Sequence, residues 1–274
     1  MVLKLLVFSE SDKAGVNIAN ALINRHGFEK SGDTYHGKPI YKLNVKDETL
    51  MLVSIVEDIV DSQFIEGDFK PSLVVFLSRH ASLSGTATLS THAPGNLGPE
   101  TYGGLPYKLS IAPANAMKAA LFEMNKLVED RGLTFKVSYE ATHHGPSLDI
   151  PSMFVEIGST PREWEDAEAG EVVAAAAMAA VQCIPRFPAV LAVGGPHYNP
   201  KFTNVGLWRD LAPAHIVSKY ALENLKNIHV LKICVERTLE KVQSALIDWK
   251  GIPGSIRVEI VDYLKRIGLD IVRV

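Results

Sequence analysis

Hydrophobic residues along the chain fall into short, nearly continuous runs separated by amphipathic stretches. Val2 to Phe8, Leu73 to Leu77, Met153 to Ile157 and Ala189 to Val193 are such runs. At this length, bounded by turn formers, they read as strands buried on both faces. Tyr35 to Leu43 and Leu50 to Val56 predict two further strands around the charged turn 46–48. Helical spacing appears at Val16, Ile18, Ala19, Leu22 and Ile23, behind the capping oxygens of Ser9 and Asp12. It recurs at Met117, Ala120, Leu121, Met124, Leu127 and Val128, between Pro113 and Gly132. Thr160-Pro161-Arg162-Glu163 is a capping box, opening a helix expected to run through the alanine-rich segment 174–180.

Beyond His215 the pattern predicts an amphipathic segment at 218–225, a strand over His229 to Val235 and helices over 236–249 and 255–267. An edge strand at 269–272 closes the chain. Strands alternating with helices predict an α/β fold. The expected form is three-layered, with a mostly parallel central sheet flanked by helices, in a single domain over residues 1–274.

Composition narrows the function classes. Net charge is −3, so no global field points to a polyanionic partner. Residues 218–274 nevertheless hold 10 Lys+Arg against 7 Asp+Glu. The two cysteines, Cys183 and Cys234, are isolated in apolar runs and suggest small buried hydrophobes in a reducing, cytoplasmic setting. The start of the chain turns acidic too soon for a signal peptide. The longest apolar run, Val172 to Ile184, is shorter than the roughly 20 residues a membrane span needs, so no membrane role is expected.

Candidate chemistry is concentrated in three segments: Ser78 to Asn96, Glu140 to Pro161 and Val193 to Asn204. Each places histidines, small residues and turn formers within or after an apolar run, where α/β folds gather ligand groups. In a strand, Phe154 and Glu156 face opposite to Met153, Val155 and Ile157. A carboxylate in such a run is expected to be buried, and hence paired, protonated or bound to a cation. His143 and His144 are adjacent, so an extended chain sends them to opposite faces. With His80, His92, His197 and Glu156 they supply the nitrogen and oxygen donors of a catalytic Zn²⁺ site. No H-e-x-x-H spacing, G-x-S-x-G elbow or G-x-G-x-x-G turn is present. The segment 98–106, rich in glycine and proline, reads as an irregular loop covering a site.

Taken together, SRHAS, THAPGN, THHGPSLDIPSMFVEIGSTPREW and GGPHYNP, in this order, resemble the archaeal and plant type of D-aminoacyl-tRNA deacylase. The opening SESDKAGVNIANAL fits as well. The resemblance covers most of the chain. It implies hydrolysis of the ester between a D-amino acid and the 3′ end of tRNA, zinc as cofactor, and a fold similar to peptidyl-tRNA hydrolases and nucleoside phosphorylases. D-aminoacyl-tRNA, engaged mainly through its 3′ aminoacyl-adenosine, is the expected partner of a monomer or weak homo-oligomer.

On the residues themselves we expect His143, His144 and Glu156 to be catalytic, and His80, His143, Glu156 and His197 to hold metal. Ser78, Ser82, Thr91, Gly194, Gly195 and Asn199 are expected to bind substrate. Lys108, Lys118, Lys126, Lys201 and Arg209 are candidate phosphate contacts. Two other readings fit the same residues. One is a metal-dependent hydrolase or nucleoside phosphorylase-like enzyme acting on a small molecule. The other is a non-enzymatic RNA-binding module.

Overall fold

The computed structural model describes residues 2–225 and 227–274. The first half of the chain builds β1 (Val2–Ser9), α1 (Lys13–Arg25), β2 (Glu29–Tyr35), β3 (Lys38–Val45), β4 (Glu48–Ile55), α2 (Phe64–Phe69), β5 (Leu73–Ala81), β6 (Thr88–His92) and α3 (Ala114–Asp130). Next come β7 (Lys136–Tyr139), β8 (Ser152–Ser159), α4 (Pro161–Trp164), α5 (Ala167–Val181) and β9 (Ala189–Val193). The remainder forms α6 (Pro200–Trp208), β10 (Ala212–Val217), α7 (Lys219–Glu223), α8 (Val230–Glu236), β11 (Val242–Ile247), α9 (Arg257–Arg266) and β12 (Asp270–Arg273).

The architecture is α/β, with a large sheet flanked by helices. Its strand order is β2-β3-β4-β1-β5-β8-β6-β7. A second sheet, β10-β9-β11-β12, is parallel throughout. The sequence reading did not separate this sheet from the first. Within the large sheet β1 pairs in parallel with β4 and β5, and β5 with β8, whereas β6 runs antiparallel to β8. That reversal lets β6 and β8 bring side chains to one place from opposite chain directions.

Burial on both faces explains the continuous apolar runs. Leu6 on β1 belongs to the core beneath α1, α3 and α5, whereas Leu5 and Val7 belong to a smaller core containing Phe76 and Phe154. On β8 the same alternation puts Met153, Val155 and Ile157 in the larger core and Phe154 in the smaller one. Glu156 shares the Phe154 face. The alanines of α5 allow close approach; at Gly170 an added Cβ would sit 2.4 Å from Asn17 Oδ1 on α1.

Several expected elements change type. His229 to Val235 is helical because Val230, Leu231 and Cys234 bury one face at helical spacing. The helix expected over 236–249 is instead strand β11, whose Ala245, Leu246 and Ile247 are covered on both faces. The helix expected to continue from the capping box breaks after Trp164, and Asp166 caps a new helix through Ala169 N. Among the described residues no helix is long and apolar enough to cross a membrane.

Candidate functional site

Parallel and antiparallel register places three strands around one carboxylate. Glu156 on β8 stands opposite Ser78 of β5 and Ser90 of β6. Ser78 Oγ donates to Glu156 Oε1 at 2.8 Å. The other oxygen, Oε2, lies 3.5 Å from both His80 Nδ1 and His92 Nε2. Glu156 Oε2 and His92 Nε2 are buried atoms with no hydrogen-bond partner among the described residues.

A second buried carboxylate, Glu140, follows β7 and organises the other imidazoles. Its Oε1 accepts from Ser90 Oγ at 2.5 Å. Its Oε2 lies 2.8 Å from His197 Nε2, 3.0 Å from His80 Nδ1 and 3.8 Å from His143 Nε2. His80 is carried at the end of β5, where its carbonyl accepts from Trp164 Nε1. His197 sits beside Glu140 because Ala141 N donates to its carbonyl.

The expectation that His143 and His144 face opposite ways does not hold. His144 has φ +41°, which bends the chain, and the two rings lie 4.1 Å apart, lining the same cavities. The hydrogen bonds fix their tautomers. His143 Nδ1 is 2.8 Å from the Ala141 carbonyl, and His144 Nδ1 is 2.7 Å from the Gly145 carbonyl. A carbonyl only accepts, so Nδ1 carries the proton in each, and the Nε2 lone pair is free when the ring is neutral.

Electrostatics divides the histidines into two groups. Burial, reinforced by neighbouring His144 and His92, holds His143 well below the ordinary imidazole range. Burial and the nearby His92 bring His144 down to about 4. Both are neutral at pH 7. For His80 burial acts downward, but Glu140 and Glu156 outweigh it and raise it to about 10. His92 is raised against its own burial by Glu156 and Glu140. Burial opposes ionisation of Glu140, yet His197 and His80 hold it well below the carboxylate range. Glu156 is lowered to about 2 against burial, by His80 and His92.

This donor set fits a divalent metal. Ligand atoms of His80, Glu140, His143 and His197 all lie within 4.8 Å of one another. Two further groups, His92 with His143 and His144, and His92 with Glu140 and Glu156, meet the same limit. Imidazole nitrogens with one carboxylate suit Zn²⁺, and the unpartnered Glu156 Oε2 and His92 Nε2 are the kind of buried atoms a cation satisfies.

The expected site residues sort as follows. His80, His143, His144, Glu156 and His197 converge, with Ser78 beside them. Glu140, not Glu156, shares the tight group with His80, His143 and His197. It was missed because sequence spacing gave it no partner; its only signal was a carboxylate three residues ahead of His143 in a β-prone run.

Five expected substrate contacts are spent elsewhere. Thr91 Oγ1 donates to the Phe154 carbonyl, and Ser82 Oγ pairs with Ser84 Oγ on the surface. Gly194 N and Gly195 N donate to the carbonyls of Val217 and Gly251, so neither is free for an oxyanion. Asn199 caps α6 and donates to the Gly194 carbonyl.

The candidate phosphate contacts are also reduced. Lys118 donates to the carbonyls of Gly206 and Arg209, and its burial lowers its pKa. Lys108, Lys126 and Lys201 pair with Asp149, Asp130 and Asp248.

Two cavities meet at this cluster. One, of about 560 Å³, lies under the loop 95–102 and against α7; the other, of about 460 Å³, opens beside Asp12, Asp58 and Arg79. Tyr102, from the irregular covering loop, lines both.

Comparison with known proteins converges on one family. The family model described as D-aminoacyl-tRNA deacylase matches residues 68–272. The D-aminoacyl-tRNA deacylase of Pyrococcus furiosus is 37% identical, over 99% of this chain and 100% of its own length. That of Thermococcus kodakarensis is 39% identical with the same coverage. The crystal structure of a conserved protein described as of unknown function superposes with a TM-score of 0.87 at 28% identity, covering 99% of this chain and 95% of the other.

Proposed function

Because the chain belongs to the D-aminoacyl-tRNA deacylase family, we propose that it hydrolyses the ester joining a D-amino acid to the 3′ end of tRNA, and that the chemistry occurs at the Glu140–histidine cluster. It is an ester hydrolase acting on tRNA. The observation that carries the placement is the convergence of Glu140 Oε2 on His80, His143 and His197, at the boundary of two substrate-sized cavities.

Ester hydrolysis needs a deprotonated water, a polarised carbonyl and a proton for the leaving ribose oxygen. We assign the proton work to His144. Its Nδ1–H is held by the Gly145 carbonyl, its ring is neutral at pH 7, and its Nε2 lone pair is free. In this reading Nε2 takes a proton from the attacking water as the new C–O bond forms. It then returns the proton to the ribose oxygen as the ester C–O bond breaks. Glu140 holds His80 and His197 in place, and Glu156, fixed by Ser78, faces His80 and His92 at 3.5 Å.

His80, Glu140, His143 and His197 are the residues that would hold zinc. A zinc ion there would supply Lewis acidity to the ester carbonyl and favour deprotonation of water near neutral pH.

The decisive experiment follows release of amino acid from matched D- and L-aminoacyl-tRNA, with and without a chelator. D-selective release that chelation stops and Zn²⁺ restores supports both activity and metal. D-selective release indifferent to exhaustive, verified metal removal would overturn the metal. No release from either enantiomer would overturn the activity.

A further inference from the structure

We infer that the far end of the second sheet's carboxyl-terminal edge, where Trp249 holds Arg257 and Arg273 beside Lys250, grips the phosphodiester backbone of the RNA whose 3′ end reaches the histidine cluster. This rests on the deacylase reading of the site and names how the rest of its substrate is held. It also gives a place to the basic excess of residues 218–274, which the ester chemistry leaves unused.

Strand order sets the position. The second sheet is parallel throughout, so the residues after β10, β9, β11 and β12 emerge at one edge in that order. Along it follow Ser218 after β10, His197 in the loop after β9, Trp249 and Lys250 after β11, and Arg273 at the end of β12. Ser218 and His197 line the cavity of about 560 Å³. Neighbouring strands lie about 5 Å apart, so Arg273 is roughly 10 Å of sheet beyond the strand that leads to His197. The turn carrying Trp249 is tied to the His197 loop, because Gly195 N donates to the Gly251 carbonyl. Open parallel sheets bind ligands at this edge, where the strand order reverses, here between β9 and β11. That crevice is closed to a small nucleotide: an added Cβ at Gly251 would lie 2.3 Å from Gly195 N, and one at Gly195 2.3 Å from Asn199 Nδ2. A ligand here lies across the edge, as a nucleic-acid strand does.

The charges at this end of the edge are uncompensated. Arg273 Cζ lies 3.7 Å from the centroid of the Trp249 ring, and Arg257 Cζ lies 5.0 Å from it. Stacking engages the flat face of a guanidinium and leaves its N–H fork, the part that matches phosphate, in the open plane. Arg257 donates from Nη2 to the Ile252 carbonyl, and its Nε has no partner among the described residues. Among those residues neither arginine nor Lys250 forms an ion pair, and the neighbouring acids are directed elsewhere. Asp248 is buried, pairs with Lys201 and accepts from Gly251 N. Lys201 also donates to the Val274 carbonyl at the chain end. Asp270 faces the opposite side of β12 from Arg273. On α9, Glu259 and Asp262 stand about 160° and 140° around the helix from Arg257, and the other charges, Lys265 and Arg266, are positive. Lys219, nearer the cavity, is paired with Glu223. The Trp249 ring already carries two guanidiniums, so this surface reads phosphates and not bases.

The test uses deacylated tRNA as the probe, with binding followed by fluorescence anisotropy across a salt series, so no turnover is needed. The wild type is compared with Lys250→Gln, Arg273→Gln, the double variant, and Lys30→Gln on β2, at the far edge of the large sheet. Lys250 and Arg273 are exposed, and thermal unfolding checks that each variant is folded. The double variant is expected to bind about tenfold more weakly. Its slope of log K against log salt should be shallower by about 0.7 to 0.9 for each phosphate contact removed, while Lys30→Gln matches the wild type. The preference in kcat/KM for D-aminoacyl-tRNA over 3′-D-aminoacyl-adenosine, which has no phosphodiester, should fall about tenfold with it. Wild-type affinity and salt slope in the double variant, the same weakening in Lys30→Gln, or an undiminished preference for the full tRNA would each overturn the surface. Weakened tRNA binding in the double variant of a chain that releases no amino acid would support the surface while removing the deacylase reading.

Discussion

Glu140 Oε2 stands 2.8 Å from His197 Nε2, bridging the end of β7 to the loop after β9 through a single buried oxygen. The same oxygen reaches His80 on β5. One carboxylate thus ties together three segments distant in sequence. Glu140→Gln keeps the shape and removes the charge. We expect deacylation to fall by about 10- to 100-fold, since support of an imidazole by a carboxylate is worth that much in comparable sites. Near wild-type kcat/KM in Glu140→Gln, with the fold verified by circular dichroism, would refute the assignment.

Metal content tests Glu140 and His197 as ligands. If His80, Glu140, His143 and His197 hold zinc, elemental analysis of purified wild-type protein should find it. Glu140→Ala and His197→Ala should both lose it. Thr91→Ala, whose hydroxyl is bonded to the Phe154 carbonyl, should retain it. Equal zinc in all these variants would place the metal elsewhere.

His144→Ala probes the proton transfer. The variant should bind D-aminoacyl-tRNA with little change in KM while kcat drops about 100- to 10,000-fold, the usual range for a general acid–base group. An unchanged kcat would pass the role to another group.

Gly103→Ala tests the covering loop. Gly103 has φ +63°, and a Cβ there would lie 2.2 Å from the Val60 carbonyl oxygen. Both the backbone conformation and the space are unsuited to alanine. The loop carrying Tyr102 should shift away from Val60, opening the wall shared by the two cavities. We expect KM to rise with global stability nearly unchanged. Unaltered KM would mean that the loop does not shape the site.

His215 sets an acid limit on stability. Its Nε2 donates to the Arg237 carbonyl, and its Nδ1 accepts from Thr142 Oγ1, so the neutral ring is satisfied and fully buried. Burial lowers its pKa to about 4. The unfolded chain therefore binds a proton at this residue near pH 6.5, which the folded chain refuses until about pH 4. This contribution to stability is intact above pH 6.5 and declines as pH falls towards 4, by up to about 3 kcal/mol. Urea unfolding between pH 4 and 7 should show a shallower pH slope in His215→Asn than in the wild type; identical slopes would contradict this.

Most of the strands and helices that carry the site were legible in the sequence, because continuous apolar runs and helical spacing are local signals. Glu156 could be read as buried from the alternation of Met153 to Ile157, and β8 places it there. The capping box at Thr160 was equally readable. The errors fell in the last third. In 229–249 short segments of mixed propensity take helix or strand according to which face the second sheet covers.

The sequence by itself determined the α/β class, the family and the set of histidines, since each depends on residue identity and near-neighbour spacing. Only the tertiary structure decided which of them meet. Glu140 became central because β6, parallel to β7, places Ser90 beside it and the loop after β9 delivers His197. Gly194, Gly195 and Asn199 left the site because their polar groups complete backbone and cap hydrogen bonds. Burial then set the protonation behaviour: desolvation keeps His143 and His144 neutral, and the paired carboxylates raise His80 against its own burial. None of this is local in sequence, because a pKa and a ligand set depend on atoms brought within a few ångströms by folding.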